Sequence, residues 1–264
     1  VSPTVVLLDL DGVVWLSRVA IPGSVEAVAR LRASGRRVVF VTNNSGARLA
    51  DQEAALADIG IPATGDVMTS AIAAAALIER GQRVLTCAGP GVGEAVVAVG
   101  GKPVAGNDPA GERVDAVVVG FHRDFDYERM RIAATAVRNG ARLIGTNDDP
   151  TYPTPHGPIP GGGAILASVR TAADADAEIA GKPHRPMAAA IETMVGDVTP
   201  ATLLMIGDRP STDGQFAVTL GCPFALVRSG VTPAGAAVDV PVAIDRADLA
   251  AVVDSIESAD GGTW

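Results

Sequence analysis

Short apolar runs alternate along this chain with helical patterns that close in glycine, and a chain built that way folds as a largely parallel α/β protein. The runs are Val5–Leu10, Val38–Thr42, Val84–Cys87, Ala116–Val119, Arg142–Gly145, Thr202–Ile206 and Phe224–Val227. Helices are expected from Pro22 to Gly35, over Leu49–Asp58 before Gly60, and from a Ser70 cap to near Gly81. Others are expected near Val92–Val99 and over Asp126–Asn139, Ala164–Arg170 and Pro186–Val195. At Gly35, Gly81 and Gly140 a helix ends and a strand follows within a few residues, the generic αβ turn. The stretch Asn147–Gly163 carries too much Pro and Gly for continuous regular structure. The tail from Ser255 is small and polar and is expected to fray, with Trp264 as its one candidate anchor.

With 264 residues the chain has room for a buried core and for two domains. Apolar residues make up 48 % but aromatics only 3 %, so the core is expected to be β-branched strands under alanine-rich helices. No apolar run is long enough to span a membrane. The N-terminal residues enter the first strand without a basic, signal-like lead, which points to the cytoplasm. A formal net charge of −9 argues against a general nucleic-acid binder and leaves a small anionic substrate open. Cys87 and Cys222 have no metal-ligand spacing and read as buried thiols. Of 21 basic residues only Lys102 and Lys182 are lysines, a weak hint that a compact ammonium is wanted there.

Four segments carry chemistry. In Asp9-Leu10-Asp11-Gly12 two carboxylates follow an apolar strand at i and i+2, on one face if the strand continues through them. Such a pair suits a divalent cation, or a division into one ionised group and one acid–base group. A capped turn without chemistry would use the same residues. Thr42-Asn43-Asn44-Ser45 leaves the second strand with hydrogen-bonding side chains and free amides, fit to cradle an oxyanion or to cap a helix. Gly207-Asp208-Arg209 follows another apolar strand, with Asp213 behind it; Asp208 suits a hard metal, and Asp213 a ligand or a supporting group. Gly181-Lys182-Pro183 offers a lysine able to neutralise a phosphoryl group, unless it is an ordinary surface lysine.

Taken in order, Asp9-x-Asp11-Gly12, Thr42, Lys182 and Gly207-Asp208 with Asp213 resemble the haloacid dehalogenase superfamily of hydrolases. Val-Thr-Asn-Asn-Ser at 41–45, Gly-Lys-Pro at 181–183 and Gly-Asp-Arg-x-x-Thr-Asp at 207–213 are similar to its NagD-like branch. The resemblance implies a Rossmann-like core of residues 1–80 and 181–264, carrying all four motifs, with an α/β cap of the second (C2) type inserted at 81–180. It implies Asp9 as nucleophile, forming an aspartyl-phosphate, and Asp11 as acid and then base. Thr42 and Lys182 would hold the phosphoryl oxygens, helped by Asn43 and Asn44. Mg²⁺ would sit on Asp9, the backbone carbonyl of Asp11 and Asp208, with Asp213 supporting the shell.

Substrate choice would lie in the cap. Phe121 offers an apolar wall, Arg123 a contact for a second anion or a solvent-facing charge, and Asn147 a cleft lining or a loop brace. The glycines at 161–163 fit close backbone approach or a hinge. The implied activity is hydrolysis of a small sugar, polyol or glycolate phosphate, with pyridoxal phosphate and nucleotides as further substrates to consider. A phosphotransferase or a non-catalytic phosphate-binding regulator would use the same residues, and a homodimer fits the branch.

Overall fold

A computed structural model describes residues 3–152, 154 and 157–260, which form two compact units. The first takes in the chain up to Thr42, then Ala50–Met68, and resumes at Lys182. Its sheet has the strand order Ile244–Arg246, Phe224–Val227, Leu203–Gly207, Val5–Leu8, Arg37–Thr42, Val67–Thr69. The pairs from Ile244–Arg246 through Arg37–Thr42 are parallel. Counted along the chain, this is the order 6-5-4-1-2-3 of a doubly wound Rossmann-like sheet. Its switch point lies between Val5–Leu8 and Leu203–Gly207, beyond whose carboxyl ends ligands gather. All four residues of the first strand and all five of Leu203–Gly207 are buried, which is why both read as unbroken apolar runs.

The second unit comprises Asn43–Leu49 and Thr69–Gly181. Its five-stranded parallel sheet runs Glu178–Ile179, Arg142–Gly145, Ala116–Val119, Arg83–Cys87, Lys102–Ala105. Helices Tyr127–Arg138 and Gly162–Ala173 close its core through Leu85, Val117, Ile132, Leu143, Leu166 and Val169. This is the α/β cap, but its limits differ from 81–180. Helix Ser70–Ala75 packs on helix Pro90–Ala98 and so belongs here, and so does the Asn43–Leu49 segment. The four motifs therefore do not all lie on the core.

Several local expectations are corrected. The cap of the alanine-rich helix is Thr69, whose Oγ1 accepts from the Ile72 N–H at 3.2 Å, and the helix stops at Ala75. Ser70 instead donates its hydroxyl to the Asn43 carbonyl at 2.8 Å. Gly162 and Gly163 open a helix, and the close backbone approach expected at 161–163 is present: a Cβ would stand 2.5 Å from the Asp149 carbonyl oxygen at Gly161 and 2.3 Å from that of Asp148 at Gly163. Ser255 lies inside the helix Leu249–Asp260, which packs on Ser24–Ala33, so fraying does not begin there; Trp264 lies outside the described residues. Gly214 ends a π-helical turn over Pro210–Gly214, where a Cβ would meet Val240 at 2.5 Å and the Phe224 ring at 3.2 Å. Cys87 is buried and Cys222 half-buried; burial pushes these thiols up to about 12 and about 11. Among the described residues no helix is long and apolar enough to cross a membrane.

Candidate active site

In the first unit, two segments that leave the carboxyl ends of the neighbouring strands Val5–Leu8 and Leu203–Gly207, together with Lys182, bring their charges together. The Asp9 N–H still donates to Ile206 at 3.0 Å, which holds Asp9 at the mouth of the switch point. Beyond it the strand ends, and Gly12, at φ +89°, turns the chain into the hairpin Trp15–Leu16/Val19–Ala20. Asp9, Asp208 and Asp213 each offer a carboxylate oxygen within 4.8 Å of the others. The Asp11 side chain stands outside that cluster, its carboxylate accepting from Trp15 and from the Ser17 backbone.

Lys182 binds the cluster together. Its Nζ donates to Asp9 Oδ1 at 2.6 Å and to Asp213 Oδ1 at 2.7 Å, and its side chain is 1 % exposed, so the surface-lysine reading is excluded. The Thr219 hydroxyl, donating to the Pro183 carbonyl at 2.8 Å, anchors the segment that carries it. Asp213 Oδ2 accepts from the Arg209 N–H at 3.1 Å, so both oxygens of Asp213 are engaged, one of them by the lysine. Gly207 permits this approach, because a Cβ there would stand 2.2 Å from Asp213 Cβ. Thr42 is buried at the carboxyl end of the adjacent strand.

Burial raises the Asp9 carboxyl well above its ordinary pKa; Asp213 and Asp208 add to this while Lys182 opposes it. Burial and the Asp213 charge likewise push Asp208 up to about 6, against the Val231 N–H, Arg209 and Lys182. Asp11 is raised by burial, opposed by its bonds from Trp15 and Ser17. Burial alone would lower Lys182, but Asp213 and Asp9 outweigh it and hold the ammonium above its ordinary value. One ammonium offsets less charge than three carboxylates bring.

A pH dependence follows. Asp208 binds its proton more tightly folded than unfolded, so its contribution to stability is full below 3.8 and lost as pH rises through about 6. In metal-free buffer, lowering the pH from 7.5 to about 5 should raise stability by roughly 1 kcal/mol from this group, or about 2–4 °C in Tm. The exposed acids Asp126, Glu128, Asp245 and Glu257 have lowered values and act only at more acidic pH. Calorimetry in EDTA checks this, and Asp208→Asn should flatten the slope.

The second unit holds the remaining predicted residues. Asn43 Nδ2 donates to Asp149 Oδ2 at 2.9 Å, Asn147 Nδ2 to the Asn43 carbonyl at 2.8 Å, and the Asp149 N–H to Asn147 Oδ1 at 3.2 Å. Asn44 Oδ1 accepts from the Gly46 N–H at 3.0 Å, closing a turn. The Ser45 and Thr146 hydroxyls pair at 2.9 Å, beneath Gly120, where a Cβ would touch both. The Asn43, Asn44 and Asn147 side chains thus hydrogen-bond within these loops. Phe121 stacks on Tyr152 with centroids 5.0 Å apart and planes 14° apart. Arg123 is exposed, with no ion pair among the described residues. His122 is buried, its Nδ1 3.0 Å from the Gly120 carbonyl.

Sequence reasoning missed Trp15 and the segment Ser229-Gly230-Val231. Ser229 Oγ donates to the Gly12 carbonyl at 2.6 Å, and the Val231 N–H donates to Asp208 Oδ2 at 2.6 Å. The available signal was position: a Ser-Gly just past the buried strand Phe224–Val227.

Comparison with known proteins agrees with this geometry. Residues 6–102 match a family described as haloacid dehalogenase-like hydrolase, and residues 179–259 match a second model of that type. Glycerol-3-phosphate phosphatase of Homo sapiens is 32 % identical over 257 residues, covering 87 % of this chain and 80 % of that protein. The chain belongs to the haloacid dehalogenase-like hydrolases. A D-glycerol 3-phosphate phosphatase of Mycobacterium tuberculosis is 40 % identical over 88 % of this hydrolase, which spans 65 % of that relative's length. Among solved structures, a glycerol phosphate phosphatase from Mycobacterium tuberculosis in complex with magnesium superposes with a TM-score of 0.79 at 34 % identity. That match covers 87 % of this chain and 69 % of the other. A putative NagD protein superposes at 0.86 with 28 % identity, covering 96 % and 98 %, which agrees with the NagD-like branch.

Proposed function

We propose that this hydrolase is a magnesium-dependent phosphatase that releases inorganic phosphate from a small phosphorylated polyol, sugar or glycolate through an aspartyl-phosphate on Asp9. The observation that carries the reading is Lys182 Nζ between Asp9 Oδ1 and Asp213 Oδ1, with Asp208 in the same buried cluster. Three carboxylate oxygens within 4.8 Å, with more negative charge than one lysine neutralises, suit a hard divalent cation. Asp9 and Asp208 would hold Mg²⁺, which when bound screens the nucleophile from the substrate dianion and steadies charge on the phosphoryl oxygens.

Lys182 fixes Oδ1 of Asp9 and so orients Oδ2 to attack phosphorus, while the bond from phosphorus to the ester oxygen breaks. Asp11, kept protonated longer by its burial, donates its proton to the departing alkoxide. Water then attacks the same phosphorus, Asp11 takes a proton from it, and the bond from phosphorus to Asp9 breaks, which frees phosphate and restores both acids. Relatives named as glycerol phosphate phosphatases support the choice of small polyol phosphates.

A panel of glycerol phosphate, phosphoglycolate, sugar phosphates, pyridoxal phosphate and nucleoside monophosphates tests this by phosphate release. Turnover with Mg²⁺ is expected to be highest on the small non-aromatic members, and EDTA should lower it at least about 100-fold. Turnover indifferent to EDTA would overturn the reading, and transfer to an added alcohol without free phosphate would make the chain a phosphotransferase.

A further inference from the structure

We propose that residues 228–231 form a strap that holds Asp208 as a one-oxygen ligand and thereby biases the carboxylate cluster toward Mg²⁺ over Ca²⁺. The inference rests on the cation site of the functional reading and names what selects the ion there.

The strap starts at Arg228, whose guanidinium grips Asp245 at 2.9 and 2.6 Å on the neighbouring strand. Ser229 then donates to the Gly12 carbonyl, and the Val231 N–H to Asp208 Oδ2, each at 2.6 Å. Between them Gly230 lies flat on the carboxylate: a Cβ there would stand 1.9 Å from Asp208 Oδ2 and 2.4 Å from its Cγ. Gly12 lies beside it against the same oxygen, where a Cβ would be 2.4 Å from Asp208 Oδ2 and 2.9 Å from the Gly230 Cα. Backbone therefore crowds Oδ2 at both glycines and occupies it with an N–H, which leaves Oδ1 as the free donor of a buried side chain.

The other two carboxylates are restricted in the same way. Asp9 Oδ1 is bound by Lys182, and Asp213 gives Oδ1 to Lys182 and Oδ2 to the Arg209 N–H. No member of the cluster has both oxygens free. Ca²⁺ takes six to eight oxygens and favours bidentate carboxylates, whereas Mg²⁺ takes single oxygens in a tight octahedron and keeps its waters. A cluster of single oxygens with Asp208 clamped penalises Ca²⁺ more than Mg²⁺. Ser229 and Gly230 are positioning residues, acting through Asp208.

Isothermal titration of the full chain with Mg²⁺ and with Ca²⁺ tests this without turnover. Ser229→Ala should free the strap from Gly12 and shift the Kd ratio toward Ca²⁺ by about fivefold to tenfold, while Gly230→Ala, which displaces Asp208, should weaken Mg²⁺ at least about 10-fold. If Gly230→Ala fails to fold, the infrared carboxylate bands of Ser229→Ala on adding Ca²⁺ decide: a narrowed splitting marks bidentate binding and supports the strap. An unchanged Kd ratio and unchanged bands in folded Ser229→Ala overturn the strap alone. A parent chain that binds neither ion overturns the strap together with the functional reading beneath it.

Discussion

Asp9→Asn is expected to remove phosphate release, by at least roughly 10³-fold in kcat, while the chain stays folded. The amide is nearly isosteric with the carboxylate but cannot attack phosphorus. The Asp9 N–H bond to Ile206 belongs to the backbone and survives the change. Lys182 keeps its bond to Asp213. Because Asp9 is half-buried beside two like charges, its neutral replacement also relieves repulsion, so Tm in EDTA should be equal to the parent's or higher. The pairing of lost turnover with retained or increased stability separates a nucleophile from a structural acid. Stopped-flow or end-point phosphate assays on the best panel substrate, with calorimetry on the same preparation, check both halves. Turnover within tenfold of the parent would exclude Asp9 as nucleophile.

Asp9, Asp208, Asp213 and Lys182 were legible because each acid follows an apolar run at a sheet's carboxyl edge, and the lysine is one of only two in an arginine-rich chain. The doubly wound order that unites them follows from the same alternation of runs and helices. What the sequence hid depends on partners far along the chain. Asn43 directly follows a core strand, so covalent proximity assigns it to the core. Its hydrogen bonds go to Asn147 and Asp149, and those make it part of the second unit. The hairpin at Trp15–Ala20 was invisible for a local reason. Its turn residues Ser17 and Arg18 hold φ of +51° and +66°, a conformation that Gly or Asn normally announces. The strap at Ser229–Val231 gave no motif because its contribution comes from an N–H and from the absence of a Cβ.

Lys182→Met tests the electrostatic core of the site. Methionine nearly matches the volume of the lysine stem, so packing changes little, and the loss is that of a charge. In the parent, the ammonium sits 2.6 and 2.7 Å from two carboxylates and is sealed from water. Removing one partner of a buried ion cluster leaves the others uncompensated, at a cost of about 3–5 kcal/mol. Here the orphaned groups are three acids within 4.8 Å, so the loss should be largest at pH 7.5 in EDTA. It should shrink as the pH falls toward 5, because the carboxyls then take protons in place of the ammonium. Mg²⁺ should also restore part of it, since a dication supplies the missing charge. Turnover should stay at least about 100-fold down in every condition, because the ammonium that orients Asp9 and faces the phosphoryl oxygens is gone. Adding Asp213→Asn to Lys182→Met removes one of the stranded charges and should return stability without returning activity. Asp213 would then be a partner of the lysine and not a ligand in its own right. A Lys182→Met protein as stable as the parent at neutral pH without metal would mean that the carboxylates do not repel as their geometry requires.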